Sequence, residues 1–269
     1  MTDQAMEARA RARAVWSAGN WDEVAKMLPP AGARVLELAQ ISAGMDVVDV
    51  GCGSGGTIAI PAAQMGANVT GIDVAPEHFN AARRRAEEAR VEVTWFEGDA
   101  ADLPVPDQAF DRVLSTFGHA FAADQVGTAN ELVRVCRPDG WIVCAMWTPE
   151  GLNGQFFQVI GKRMPPPPPG FQSPILWGTE QRWHELVGSQ GFELEFHREM
   201  LVFEKPSVDQ YAAEMESNFG PLVTARATLG DEAFAAIDKD FKALLHENNE
   251  VADGSMRISA EFLVAIARR

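Results

Sequence analysis

The stretch Val47-Val48-Asp49-Val50-Gly51-Cys52-Gly53-Ser54-Gly55-Gly56 decides the fold. A short run rich in valine reads as a buried strand, and the glycines after it read as a tight turn. Glycine alone takes left-handed backbone angles without strain and lets the chain approach a ligand closely. With a helix expected next, the order is strand, glycine turn, helix, which presents free backbone amides to a ligand. Gly51, Gly53 and Gly56 also satisfy the G-x-G-x-x-G spacing, so the segment points to a nucleotide-like cofactor without choosing one.

The flanking sequence repeats the alternation. Residues 69–73 read as a second strand, 76–89 as a helix, 91–97 as a third strand and 110–116 as a fourth, followed by a helix over 125–136 and a fifth strand over 141–147. That order implies an α/β fold, a Rossmann-like doubly wound sheet that is mainly parallel. Upstream, helices are expected over 3–18, over 21–27 up to Pro29-Pro30, and over 33–40. After Trp147 the rhythm changes. The run Pro165 to Pro169 is a stiff connector, because proline lacks the amide hydrogen and restricts its predecessor. A helix over 179–189, capped by Thr179 and ended by Gly191, precedes an alternating strand over 192–203, two or three helices over 207–250, and a closing strand over 257–267. The expected organisation is one domain over 1–269, with a core at about 31–147 and a helical cap built from 3–27, 149–178 and 207–250.

Composition narrows the function. The chain has 269 residues, 46% of them hydrophobic, and its apolar runs fall short of the ~20 residues of a membrane helix. The start Met1-Thr2-Asp3-Gln4 lacks the features of a signal peptide, which suits a cytoplasmic protein that does not act at a membrane. A net charge of −15 disfavours nucleic-acid partners, which are held by basic surfaces that release counterions. Arg83-Arg84-Arg85 is followed at once by Glu87 and Glu88 and reads as a solvated helix face. Cys52, Cys136 and Cys144 lack metal-site spacing, no H-E-x-x-H or Ser-His-Asp arrangement is present, and no metal is expected.

Asp73 stands at the end of the second strand, where a carboxylate can accept hydrogen bonds from both hydroxyls of a ribose. Enzymes that use NAD place an acid there too. The next segment separates the two cases. In Glu97-Gly98-Asp99-Ala100, the Asp99 carboxylate suits an adenine amino group and the Ala100 amide suits the neighbouring ring nitrogen, which is base recognition without phosphate recognition.

These segments together resemble the class I S-adenosylmethionine-dependent methyltransferases, in particular small-molecule methyltransferases of the ubiquinone/menaquinone-biosynthesis type. The resemblance is carried by residues 47–56, 71–86 (GIDVAPEHFNAARRRA), 96–118 (FEGDAADLPVPDQAFDRVLSTFG) and 131–143 (ELVRVCRPDGWIV). It implies a seven-stranded sheet with one antiparallel strand, supplied by 257–267. It also implies S-adenosylmethionine as cofactor, S-adenosylhomocysteine as product, and a small-molecule acceptor. Gly51 and Gly53 would face the methionine part, Asp73 the ribose, Asp99 and Ala100 the adenine, and Thr116 the edge of the site. With Asp49, Cys52, Val74, His78 and Gly98 these make the candidate cofactor-binding set. His78 departs from the apolar residue usual in such proteins and reads either as cofactor packing or as a surface helix residue.

On the acceptor side, His119 follows the fourth strand where the family usually continues with apolar residues, and an imidazole there suits a general base. The alternative is a histidine that orients a loop. His184, His197 and His246 have no partner motif and read as structural. Fifteen phenylalanines and seven tryptophans against one tyrosine suit either an apolar or aromatic acceptor or the packing of the added helices on the core. Trp16, Trp21, Phe117, Phe121, Trp147 and Trp177 fall where open α/β sheets bind ligands. Trp16, Phe117, His119, Phe121, Trp147 and Trp177 form the candidate substrate pocket. Two readings compete with methyl transfer: an S-adenosylmethionine-binding protein without transfer activity, and an NAD-dependent oxidoreductase, which leaves residues 98–107 unexplained.

Overall fold

The computed structural model describes residues 3–167 and 171–269. Met1 and Thr2, and Pro168 and Pro169 of the expected connector, lie outside it. Seven strands form one sheet: β1 (Asp46–Val50), β2 (Asn68–Asp73), β3 (Val93–Glu97), β4 (Phe110–Thr116), β5 (Cys136–Trp147), β6 (Glu193–Lys205) and β7 (Met256–Arg268). Their order is β3-β2-β1-β4-β5-β7-β6. The first five are parallel, and β7 runs antiparallel to both β5 and β6. The single reversed strand is therefore the expected C-terminal segment. Winding reverses between β1 and β4, the place where open α/β sheets leave a crevice.

The helices are α1 (Asp3–Trp16), α2 (Trp21–Ala25), α3 (Pro29–Leu38), α4 (Ala59–Gln64), α5 (Phe79–Ala89), α6 (Gln125–Val135), α7 (Leu152–Gly161), α8 (Glu180–Leu186), α9 (Val208–Asn218), α10 (Gly220–Leu229) and α11 (Asp231–Asn248). Helices α4 and α5 pack on β1–β3, and α3 and α6 pack on β4 and β5. Strands covered on both faces need apolar residues at every position rather than at alternate ones. Accordingly Val47, Val48 and Val50 of β1, residues 142–147 of β5 and residues 262–267 of β7 are all buried. Among the described residues, no helix is long and apolar enough to cross a membrane.

Three elements differ from expectation. Pro29 and Pro30 open α3, four residues earlier than expected, because proline fits the first helical turn, where its missing amide hydrogen has no partner to lose. Strand β5 begins at Cys136, which pairs with Phe110 ahead of a bulge, so it starts five residues earlier than expected and includes Pro138-Asp139-Gly140. Helix α7 was hidden by its glycines. A Cβ on Gly154 would lie 2.3 Å from the Pro149 carbonyl oxygen, so the tight first turn requires one of them.

Helices α1 and α2 pack against the segment that follows β6. Helix α1 meets α10, α2 meets α9, and α7 meets α11. The Asn20 amide donates to the Asn218 carbonyl at 3.0 Å. A Cβ on Gly220 would stand 2.1 Å from the Val15 carbonyl oxygen, which shows how closely the chain at α10 approaches α1.

His119 sits in a short 3-10 turn (Gly118–Phe121) after β4, fully buried. Its ring packs against Trp177 at 4.9 Å and Trp183 at 5.9 Å, and neither ring nitrogen has a partner. Burial drives its pKa down to about 3, well below the ordinary 6.5. The folded chain therefore resists a proton that the unfolded chain accepts, and the neutral ring's contribution is intact above about pH 6.5 and lost as pH falls toward 3. Replacing His119 by Phe removes this titration. Urea unfolding from pH 7 down to 4 should show the wild type losing on the order of 2–4 kcal/mol more than His119→Phe. Parallel losses in the two proteins would contradict a buried, neutral imidazole.

Candidate functional site

A cavity opens at the carboxyl ends of β1, β2 and β4. Its floor is the glycine turn. Gly51 and Gly53 take left-handed φ values of +72° and +51°. A Cβ on Gly51 would come within 2.6 Å of the Gly118 Cα, and one on Gly53 within 2.8 Å of the Trp21 indole nitrogen. The Gly51 and Cys52 amides donate to the Ile72 carbonyl, at 2.8 and 3.1 Å, so the turn is anchored to the end of β2.

Asp73 completes that anchor. One carboxylate oxygen accepts from the Gly53 amide at 2.7 Å and the other from the Ala75 amide at 2.9 Å, which fixes the side chain while leaving lone pairs free. Burial raises its pKa, opposed by those two amides and by nearby His78. Beyond β3, Asp99 accepts from the Ala101 amide at 2.9 Å. The loop after it is held from α6. Glu131 accepts from the Leu103 amide at 2.7 Å, and the Arg134 guanidinium donates to the Leu103 and Val105 carbonyls and to Asp107. The Thr116 hydroxyl, at the end of β4 in the cavity wall, is buried and has no partner.

Nine of the eleven candidate cofactor residues line this cavity: Gly51, Gly53, Asp73, Val74, His78, Gly98, Asp99, Ala100 and Thr116. Asp49 and Cys52 do not. The Asp49 carboxyl turns back to accept from the Ala59 amide at 3.1 Å, tying the glycine turn to the start of α4, and burial pushes its pKa up to about 8. The Cys52 sulfur lies behind the turn, close to Gly71 of β2. Of the candidate substrate residues, Trp16, Phe117 and Phe121 line the cavity, and Trp147 lines an adjoining chamber. His119 and Trp177 line neither. His119, the candidate general base, reaches neither space, and burial holds its pKa down to about 3.

Six wall residues stand outside the candidate sets: Ala12, Trp21, Val50, Ile72, Gly118 and Ala122. Gly118 belongs in the wall because its backbone touches Gly51, and the Thr116-Phe117-Gly118 turn after β4 was the available signal. Trp21 was legible only as one of several N-terminal aromatics. Ala12 had no signal, since its role depends on how α1 docks. At the mouth of the cavity α1 is also tied by polar contacts: Arg13 reaches Glu77 at 2.8 Å and Glu97 at 3.1 Å, and the Ser17 hydroxyl donates to Glu77 at 3.0 Å. The hydrogen bond from Arg13 holds the Glu77 carboxyl down to about 2. These groups are half exposed, so salt screens them and each contributes little alone.

Comparison with known proteins gives the same picture. Residues 47–140, which contain β1 to β4 and the start of β5, match a family described as a methyltransferase domain. An uncharacterised protein of Mycobacterium tuberculosis is 34% identical over 261 residues, covering 96% of this chain and 93% of the relative. A demethylmenaquinone methyltransferase of Thermus thermophilus is 36% identical over 136 residues, 49% of this chain and 62% of that protein. In fold, the chain resembles the crystal structure of a putative methyltransferase from Bacillus halodurans, with a TM-score of 0.62 at 19% identity, covering 89% of this chain and 98% of the other. A cradle that would be blocked by any side chain on its glycines, two anchored acids at the strand ends and these likenesses agree: the chain belongs to the class I S-adenosylmethionine-dependent methyltransferases.

Proposed function

We propose that the protein transfers the methyl group of S-adenosylmethionine to a small acceptor with an apolar or aromatic body, and that the cavity at the strand ends holds the cofactor. The observation that supports this most is convergence: the glycine turn, Asp73 and the Asp99-Ala100 pair are separated in sequence yet meet in one cavity. Gly51 and Gly53 leave room for the amino-acid part. The free lone pairs of Asp73 suit two ribose hydroxyls, and Asp99 with the Ala100 amide suits the edge of an adenine. A buried hydroxyl without a partner is costly, and a polar group of the cofactor would give Thr116 one. No diphosphate is needed to account for these groups, which favours this reading over a dinucleotide.

When bound, the cofactor supplies a methyl group already activated by its sulfonium charge. The protein's part is to align the acceptor and keep water out. In this reading α1 and α2, with α9 to α11 behind them, cover the site, and Arg13 fastens the cover to the loops after β2 and β3. His119 takes no proton from the acceptor, because it lines neither cavity.

Calorimetric titration with S-adenosylhomocysteine tests the cofactor site. Asp73→Ala should weaken binding by roughly tenfold to a hundredfold, the loss of charge-assisted hydrogen bonds, and Asp99→Ala by roughly tenfold. Tighter binding of NAD than of S-adenosylhomocysteine to the wild type would overturn the assignment. His119→Phe should keep methyl transfer to any acceptor within about threefold, whereas losing a general base would cost on the order of a hundredfold or more.

A further inference from the structure

Beside the cofactor cavity lies a second, aromatic-lined chamber. Trp16, Trp21, Phe117 and Phe121 line both spaces, so the two adjoin at an aromatic rim. Phe117 is held firmly in it. Its φ of +69° is rare for a bulky residue, and its ring stacks on Trp147 with centroids 4.0 Å apart and planes 6° from parallel. Trp16 closes on Phe121 at 4.6 Å and on Trp21 at 5.4 Å from the α1–α2 side.

The chamber's far wall is built from α7, β6 and α9, and among the described residues none that lines it carries a charge. Burying a carboxylate, phosphate or ammonium there would be strongly unfavourable. Two side chains nevertheless break the apolar surface. The Asn153 amide nitrogen is buried with no hydrogen-bond partner, a donor left unsatisfied by the rest of the wall. Tyr211, the chain's single tyrosine, also lines the chamber and offers a phenolic hydroxyl as a second donor. Neither residue belongs to the cofactor motifs.

We propose that this chamber is the acceptor site, that it selects uncharged aromatic compounds carrying an oxygen substituent, and that Asn153 is the specificity-determining residue, with Tyr211 as its partner. The inference rests on the cofactor reading above. Flat aromatic bodies suit a chamber walled by aromatic rings, an oxygen on the acceptor satisfies the orphaned amide, and the shared rim leaves the reacting edge of the acceptor beside the cofactor. Recognition by one buried donor gives selectivity through the cost of leaving that donor unpaired.

Equilibrium dialysis on the complex with S-adenosylhomocysteine tests this with 2-naphthol, naphthalene and 2-naphthoate. The expected order is 2-naphthol tightest, naphthalene roughly fivefold weaker for want of the hydrogen bond, and 2-naphthoate weaker than naphthalene. Asn153→Leu should bring 2-naphthol to the level of naphthalene while S-adenosylhomocysteine still binds, and Tyr211→Phe should narrow the gap. Binding of 2-naphthoate as tight as that of 2-naphthol, no binding of either neutral ligand, or an unchanged preference in a folded Asn153→Leu protein would each overturn the proposal with the cofactor site intact. Failure of S-adenosylhomocysteine itself to bind would instead remove the cofactor reading and this one with it. Should the leucine variant not fold, the wild-type ranking of the three ligands decides.

Discussion

Between β1 and β4, where the winding of the sheet reverses, Gly51 and Gly118 bring two backbones into contact. A Cβ on either would lie 2.6 or 2.5 Å from the other's backbone atoms, and Gly51 also needs its left-handed φ. Much of the site hangs on this contact. It sets the floor of the cavity, aims Thr116 and Phe117 from the end of β4, and lets Trp21 close over Gly53. Side chains on the turn would fill the space in which a ligand could lie.

Around that contact the polar groups act mainly on backbone. Asp49 ties the turn to α4, Asp73 ties it to the chain after β2, and Arg134 with Glu131 ties down the loop that follows Asp99. Each is a buried or half-buried acceptor or donor satisfied by amides and carbonyls, the arrangement that makes polar burial tolerable. The cover differs. Helices α1 and α2 are fastened at the mouth by exposed ion pairs that salt weakens, and behind it by close backbone packing on α9 and α10. Rigid floor and weakly fastened mouth suit a site that must admit a cofactor and then exclude water.

The sheet was legible because its signals are local. Valine-rich runs bounded by glycine, with helices at regular intervals, read directly as β1 to β5, and the reversed β7 followed from the resemblance. Residues placed by motif, such as Asp73, Asp99 and Ala100, proved to share one cavity. What could not be read depended on side-chain direction. His119 stands two residues past the cavity-lining Phe117, yet the 3-10 turn points its ring into the Trp177–Trp183 cluster. Asp49 belongs to the glycine motif, but its carboxyl faces α4. Helix α7, and with it Asn153, was masked by glycines whose need appears only once the chain is folded.

A crystal structure of the protein with S-adenosylhomocysteine tests the central claim most directly. The account requires the ribose hydroxyls about 2.6–3.2 Å from the Asp73 carboxylate, with the adenine edge on Asp99 and the Ala100 amide. Adenosine bound anywhere else, or lying in this cavity with Asp73 left out of contact, would contradict it.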